Sequence, residues 1–462
     1  MNAVGTLALV GWIPVILLLF ALLPPRKAVI AAFVVGWLFL PMGSLQKIEG
    51  LPDFNKFSAT SVGVLLGALI FDARRFLTWR PRLADLPMLV WCVCPMASSV
   101  SNNLGVYDGC SAIFQQVITW GLPYGLGRLY FTDPLDLREL AKGIVIGGLV
   151  YVPLCLFENR LSPELHYWLY GFHQTISFRR IEGFGFLGYQ PRVFVQNALA
   201  LTLFMGNCAL IALWMWLSGW PRRIWQLPLG LWTCVLFVVT ILCKSLGAVL
   251  LTMGGAGVLL AGRWLRWRLP LYCLIAVTPL YVALRASGNW SGKQLLDAAK
   301  AIVTEERAAS LQTRLDNEDI LVAKALQRPV FGWGGWARAR VYDEFGKDIS
   351  TTDGLWVIAI GNTGIVGLCS LLAAFLIPVL LLAKGKSGRF LVQSMQTPIL
   401  VFVIAVLLHT IDCLFNAMLN PIYILGLGGL ASLSGAGAQR YLSNRENRAA
   451  SRAGTRTAVR QA

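Results

Sequence analysis

Long apolar windows alternate along the chain with polar connections. The windows fall at 4–23, 28–43, 59–71, 86–100, 112–130, 140–157, 193–218, 226–243, 246–262, 269–286, 355–383, 394–411 and 413–432. A helix needs about 20 apolar residues to cross the hydrocarbon of a bilayer, and most windows approach that length. The pattern predicts an all-α polytopic membrane protein of about 12–14 transmembrane helices with a large outward-facing, partly helical loop. The window at 59–71 is short. The tight junction at 411–413 fits one broken helix or a hairpin.

The connections sort into two alternating sets by charge. One holds Arg26 and Lys27, then Arg74, Arg75, Arg80 and Arg82, then Arg222 and Arg223, then Arg263, Arg266 and Arg268, then Lys384, Lys386 and Arg389. By the positive-inside rule this set is cytoplasmic. The other set, 44–58, 101–111, 158–192, Lys244–Ser245 and 287–354, then faces outward, with the N-terminus outside and the C-terminus inside. The expected units are a bundle over 1–286 with an outward loop at 158–192, a large outer loop at 287–354, C-terminal spans over 355–438, and a basic, Ala/Arg/Ser-rich tail at 439–462. The tail reads as disordered and suited to anionic membrane lipid.

The outer loop at 287–354 carries ten acidic residues against nine basic ones. The positive charge of the protein therefore lies elsewhere. Within it, Leu295, Leu296, Ala299, Ile302 and Val303, then Leu311, Leu315, Ile320, Val322, Ala323 and Leu326, have helical spacing with polar faces. One or two amphipathic helices along the membrane surface are expected. Arg328-Pro329 closes the segment, because a residue before Pro avoids the helical region.

Composition agrees with this reading. Hydrophobic residues make up 56% and charged ones 14%, against about 25% charged in a soluble domain. The 17 Trp suit membrane interfaces. The net charge of +17 sits in clusters between spans, which argues against a nucleic-acid partner. The ten Cys lie in or beside apolar windows without a C-x-x-C pair, so they read as small apolar residues. No phosphate-loop, H-E-x-x-H or G-x-S-x-G motif is present.

Two outer stretches carry candidate chemistry. In 158–192, Arg179, Arg180 and Arg192 stand beside Glu182 and a Gly-rich turn. Arg presents a planar fork that binds phosphate oxygens in pairs; the bland alternative is arginines snorkelling from a helix end. In 328–336, Gly332 and Gly334 flank Trp333, which reads either as a close-approach loop for a ligand or as a Trp-capped interfacial turn. His409 beside Asp412, inside an apolar window, reads as a hydrogen-bonded helix–helix pair or as a functional pair.

The set resembles the O-antigen ligase and O-antigen polymerase family of bacterial envelope glycosyltransferases. Four stretches carry the likeness. They are Arg180-Ile181-Glu182-Gly183-Phe184-Gly185-Phe186 with Gln190-Pro191-Arg192; Lys244-Ser245-Leu246-Gly247; Arg314 leading to Arg328-Pro329-Val330-Phe331-Gly332-Trp333-Gly334; and Asp353-Gly354-Leu355-Trp356 before Asn362-Thr363-Gly364. Asp353 stands where the family commonly has His. The resemblance implies a polyprenyl-diphosphate-linked oligosaccharide as substrate and a glycan or lipid acceptor. It also implies that the reaction needs neither metal nor cofactor, and that polysaccharide assembly or export proteins are partners. Arg180 and Arg314 are then expected to bind the leaving group, with Arg179, Arg192 and Lys244 behind them. Asp353 is the expected base, with Glu182 and His173 as competitors; Asp353 also reads as an N-cap for the helix at 355. The competing class is a transporter or flippase of lipid-linked glycan that makes and breaks no bond.

Overall fold

The computed structural model describes residues 1–45, 53–174, 180–183, 186–288, 290–301, 304–384 and 398–435. The expected basic tail, Lys386 and Arg389 lie outside them. The first helices are α1 (Ala3–Leu22), α2 (Pro25–Phe39) and α3 (Lys56–Phe71). The next are α4 (Leu86–Ser101), α5 (Gly105–Gln116), α6 (Leu122–Tyr130), α7 (Pro134–Arg160) and the short α8 (Leu165–Tyr170). Then come α9 (Ala198–Ser218), α10 (Leu229–Leu242), α11 (Leu246–Leu260) and α12 (Leu269–Ala286). The chain continues with α13 (Lys293–Lys300), α14 (Glu305–Ala325), α15 (Leu355–Ala383), α16 (Ile399–Asp412) and α17 (Pro421–Leu433). Among the described residues seven helices are long and apolar enough to cross a membrane, and four shorter ones are apolar. The protein is a multi-pass helical membrane protein.

Local sequence sets many of the helix starts. Asn2, Asn55, Asp133, Asn197 and Asn420 each occupy an N-cap with the side-chain oxygen accepting from the first turn. Pro25, Pro134 and Pro421 follow their caps, where the missing N–H costs nothing.

Four expected boundaries change. The window at 193–218 becomes helical only at Ala198. Before it, Glu158 accepts from the Arg192 and Val193 amides at 2.8 and 2.7 Å, and Lys56 Nζ donates to the Phe194 carbonyl at 3.0 Å. Side chains thus supply the bonds a helix would have made. The span expected at 112–130 begins at Gly105 and runs to Tyr130 through a π-turn at Val117–Gly121. The junction near 411–413 is neither a tight hairpin nor one broken helix: α16 ends at Asp412, residues 413–420 cross over, and α17 starts at Pro421. The 158–192 loop holds α8 and a hairpin of β1 (Arg180–Gly183) and β2 (Phe186–Tyr189), in which Arg180 pairs with Tyr189.

The amphipathic segment expected in the large loop holds two helices, α13 and α14. α14 does more than lie on a surface: Leu321, Val322 and Ala325 enter the core, and its carbonyl end stops before Arg328. At the centre of the bundle stand α9, α16 and α17. All 13 residues of α17 are buried. It crosses α6 where Gly127 and Gly428 meet, and a side chain at either position would strike the backbone of the other helix.

Contacts also fix which loops share a face. Asn2 bonds Tyr170 and Leu169, Met42 bonds His166, Asn102 bonds Gly332, Gln190 bonds Lys244, Asn197 bonds Met418, and Arg314 bonds Asn416. The five connections assigned to one side by charge therefore gather on one face, with the 413–420 crossover. On the other face, Arg26 pairs with Asp136 at 2.8 Å, Arg128 with Asp85 at 2.7 Å, and Arg82 donates to the Ser432 carbonyl.

Candidate functional site

A break in α15 organises the loop-rich face. Gly364 interrupts the helix with φ 65° and ψ −164°, a conformation essentially restricted to Gly. The helix amides and carbonyls freed there are taken by the segment 329–334. Ile365 and Val366 amides bond the Pro329 and Val330 carbonyls at 2.7 and 3.3 Å, and the Trp333 and Gly334 amides bond the Gly361 and Asn362 carbonyls at 2.8 and 3.0 Å. A Cβ on Gly332 would lie 2.6 Å from the Asn362 carbonyl carbon and the Gly364 nitrogen. Gly332 and Gly334 both have positive φ. Their absence of side chain thus serves close backbone approach to α15 and, at Gly334, to Leu104. α4 completes the joint: Ser98 Oγ donates to the Asn362 carbonyl at 2.6 Å, Asn102 donates to the Gly332 carbonyl at 2.9 Å, and Arg328 bonds Asn102 Oδ1. Arg328 and Lys324 both lie over the Trp333 ring, at 4.5 and 4.0 Å.

α14 is held beside this joint by a buried ionic hub. Glu318 accepts from Tyr281 at 2.8 Å, from Arg285 at 3.0 Å and from Trp356 at 3.3 Å. Arg285 also donates to the Leu315 and Trp290 carbonyls and pairs with Asp319 at 2.9 Å. Burial pushes the Glu318 carboxyl above its ordinary range, against the opposing pull of Tyr281 and Arg285. The hub fixes α14 one turn from Arg314.

Arg314 and Asp353 stand side by side. Arg314 Nε lies 3.7 Å from Asp353 Oδ2, with side chains 27% and 43% exposed. A pair so wet stabilises a fold by about 1 kcal/mol or less, so stability does not account for its placement. Arg314 also donates to Asn416 at 3.3 Å, and Asn416 donates to Asp412 Oδ1 at 3.0 Å. Asp412 Oδ2 is buried without a partner among the described residues. The cap role for Asp353 does not materialise. Gly354 is the N-cap of α15, no side chain caps it, and the Leu355 amide bonds the Cys413 carbonyl at 2.8 Å. The Asp353 carboxylate therefore stays beside Arg314 in a narrow cleft lined also by Thr351, Gly354 and Phe415.

The second group of expected residues surrounds the hairpin. Arg180 and Glu182 lie in β1, paired with Tyr189 and Leu187; Arg179 lies outside the described residues. Lys244 is buried at the foot of the hairpin with φ 62°. A Cβ on Gly188 would lie 3.1 Å from its Nζ. Gln190 donates to the Lys244 carbonyl at 3.0 Å, and Asn159 ties Tyr189 to Leu242. The Arg192 amide is anchored on Glu158, and burial lowers the guanidinium pKa with Glu158 opposing. His173 stacks on Tyr167 at 4.3 Å and lies 3.8 Å from Glu164. The strand leads through Asn197, which donates to Met418 Sδ at 2.9 Å. Thus the hairpin's exit and Arg314 contact the same 413–420 crossover.

His409 and Asp412 do not form the expected helix–helix pair: His409 packs on Tyr423 and near Cys413, while Asp412 bonds Asn416. Arg285, Glu318 and Asn416 belong to no motif in the sequence, yet they hold the site. Glu318 was legible in principle, because it lies on the face defined by Leu311, Leu315 and Val322, where an acid requires a partner. Among the described residues, no three His, Cys, Asp or Glu side chains converge so as to hold a metal ion. No family model matches the chain, and no curated protein matches it.

Proposed function

We propose that this protein is a membrane glycosyltransferase that polymerises or ligates polyprenyl-diphosphate-linked glycan at the outer face of the cytoplasmic membrane. The observation that carries the reading is the water-accessible Arg314–Asp353 pair, a fixed cation beside an uncapped carboxylate at the mouth of a broken helix. The arginine-rich connections gathered on the opposite face support an outward site. In the proposed step an acceptor hydroxyl oxygen attacks the anomeric carbon of the donor sugar. Its proton passes to the Asp353 carboxylate. The bond from the anomeric carbon to the diphosphate oxygen breaks, and polyprenyl diphosphate leaves with the electron pair. Arg314 stabilises the charge that grows on that oxygen, and Arg180 on the neighbouring hairpin is the second candidate cation. Asn416 orients Arg314. Arg192 and Lys244 hold the hairpin's base.

The test is purified protein in lipid with polyprenyl-diphosphate oligosaccharide from its host. Longer or transferred glycan with stoichiometric polyprenyl diphosphate is the expected result. Arg314→Ala should lower turnover about 100-fold, the scale for removing one preorganised charge-stabilising group. Asp353→Asn should do so by a similar or smaller factor, as expected for loss of a base. Lipid-linked glycan that crosses the bilayer intact, without diphosphate release, would point to the flippase class instead. Full turnover in Arg314→Ala would remove Arg314 from the site.

A further inference from the structure

A separate cavity of about 280 Å³ opens on the loop-rich face between α4, α5, α15 and the 334–336 loop. Its size is near the lower end of small-ligand pockets, which start at roughly 300 Å³. Trp91 and Trp120 form a buried edge-to-face wall, their rings 5.8 Å apart. The Trp91 indole N–H has no hydrogen-bond partner among the described residues, although Trp91 is 5% exposed. Trp336 stands at the mouth, 74% exposed. It and Ala337 have φ of 62° and 57°, a left-handed conformation that is an outlier for a bulky residue. The backbone there is strained to present that ring. Asp108, Gln116 and Asn362 also line the cavity, and none of their side chains makes a hydrogen bond among the described residues.

The lining selects a ligand class. Among the described residues Asp108 is its only charged lining residue and no base faces inward, so a diphosphate is disfavoured. Flat apolar rings beside uncommitted amide, carboxylate and indole groups suit a pyranose, whose C–H faces pack on aromatics while its hydroxyls seek donors and acceptors. α15 links the cavity to the proposed chemistry: Leu355 and Ile358 face it, whereas Asp353, Gly354 and Val357 face the Arg314 cleft. The two sites are thus separated by one helix, about 10 Å across. We propose that this cavity is a neutral-sugar subsite holding a non-reacting residue of the acceptor glycan, while the acceptor's reactive hydroxyl reaches round the start of α15 toward Asp353. The subsite assignment rests on the glycosyl-transfer reading; carbohydrate binding in the cavity does not.

The experiment uses full-length protein in a detergent without a sugar headgroup. The probe is the oligosaccharide released by mild acid from the host's own polyprenyl-linked glycan. Trp336→Ala and Asp108→Asn, both at positions outside the core, are compared with wild type. The expected result is an acceptor KM raised at least tenfold in both variants, with kcat and donor KM within twofold of wild type. Acceptor KM within twofold of wild type in both overturns the proposal. Ligand-observed NMR of the same oligosaccharide separates the two ideas. If wild type transfers nothing yet binds saturably, and Trp336→Ala does not bind, the cavity stands and the transfer reading falls. If wild type shows no saturable binding, the cavity proposal falls whatever the activity.

Discussion

At the scale of single residues, placement was legible where charge had to find water and illegible where it was buried. Arg314 and Asp353 belong to a polar outer segment and were expected there; that they pair directly with each other is seen only in the structure. Lys244 was expected to reach a ligand, but it is buried beneath the hairpin, because the turn that exposes it in sequence folds under β2. His166 drew no role in sequence and turns out to be a neutral joint. The Met42 amide donates to its Nε2 at 3.2 Å, so Nδ1 carries the proton and donates to the Phe172 carbonyl at 2.9 Å. Burial lowers its pKa, assisted by the charges of Lys56 and His173. A folded pKa below the unfolded value of about 6.5 means that the unfolded chain takes up the proton first. The contribution is therefore present above that value and lost as pH falls through it. Wild type should melt at a lower temperature at pH 5.5 than at pH 8, and His166→Gln should show a smaller difference. Equal acid sensitivity in the two proteins would remove His166 as the cause.

At the scale of elements, apolar length gave the spans, but it could not show where backbone leaves the helix inside an apolar stretch. The 193–197 segment reads as the start of a span because Val193, Phe194 and Val195 are apolar; Glu158 and Lys56 make the extended path tolerable. The break at Gly364 was equally hidden, since the irregular 329–334 segment that takes up its freed backbone groups lies outside the helix. Two predictions belong here. Gly332→Ala places a Cβ against the backbone of α15 and should lower the melting temperature and turnover together. Gly11→Ala in α1, where a Cβ meets nothing within 4 Å, should change neither. Removing the acceptor of the buried hub by Glu318→Ala should loosen α14 by about 1–3 kcal/mol, because Tyr281 and the Arg285 Nε lose their buried acceptor while Asp319 and two carbonyls still hold the guanidinium. Protease cutting within 287–354 is the readout; the pair Arg285→Met with Glu318→Leu should restore much of the resistance. Unchanged cutting in Glu318→Ala would show that apolar packing alone docks the helix.

At the scale of the whole molecule, alternation of charge divides the loops into two groups, and contacts gather the connections of the less basic group on one face. The orientation is testable in a background freed of native cysteines. Phe345→Cys, on the loop-rich face, should react with an impermeant maleimide in intact cells. Leu77→Cys, beside Arg74 and Arg75, should react only after permeabilisation; the reverse pattern would invert the site. What the pattern could not show is which helices are central. Every window reads as apolar, so the wholly protein-enclosed α17 looks no different from α1, whose Leu7, Leu18 and Leu22 face outward.

That central position has a consequence for biogenesis. α16 and α17 emerge late from the ribosome, yet they fill the middle of the bundle. The preceding helices must therefore stand in the bilayer around an open seam, with the Gly127 face of α6 and the Ser432-seeking guanidinium of Arg128 waiting to be met. Closing the seam also delivers Asn416 to Arg314. A nascent chain halted before Ile399 is thus both unsealed and without the contact that orients its leading cation, so closure of the bundle and assembly of its proposed site are the same event.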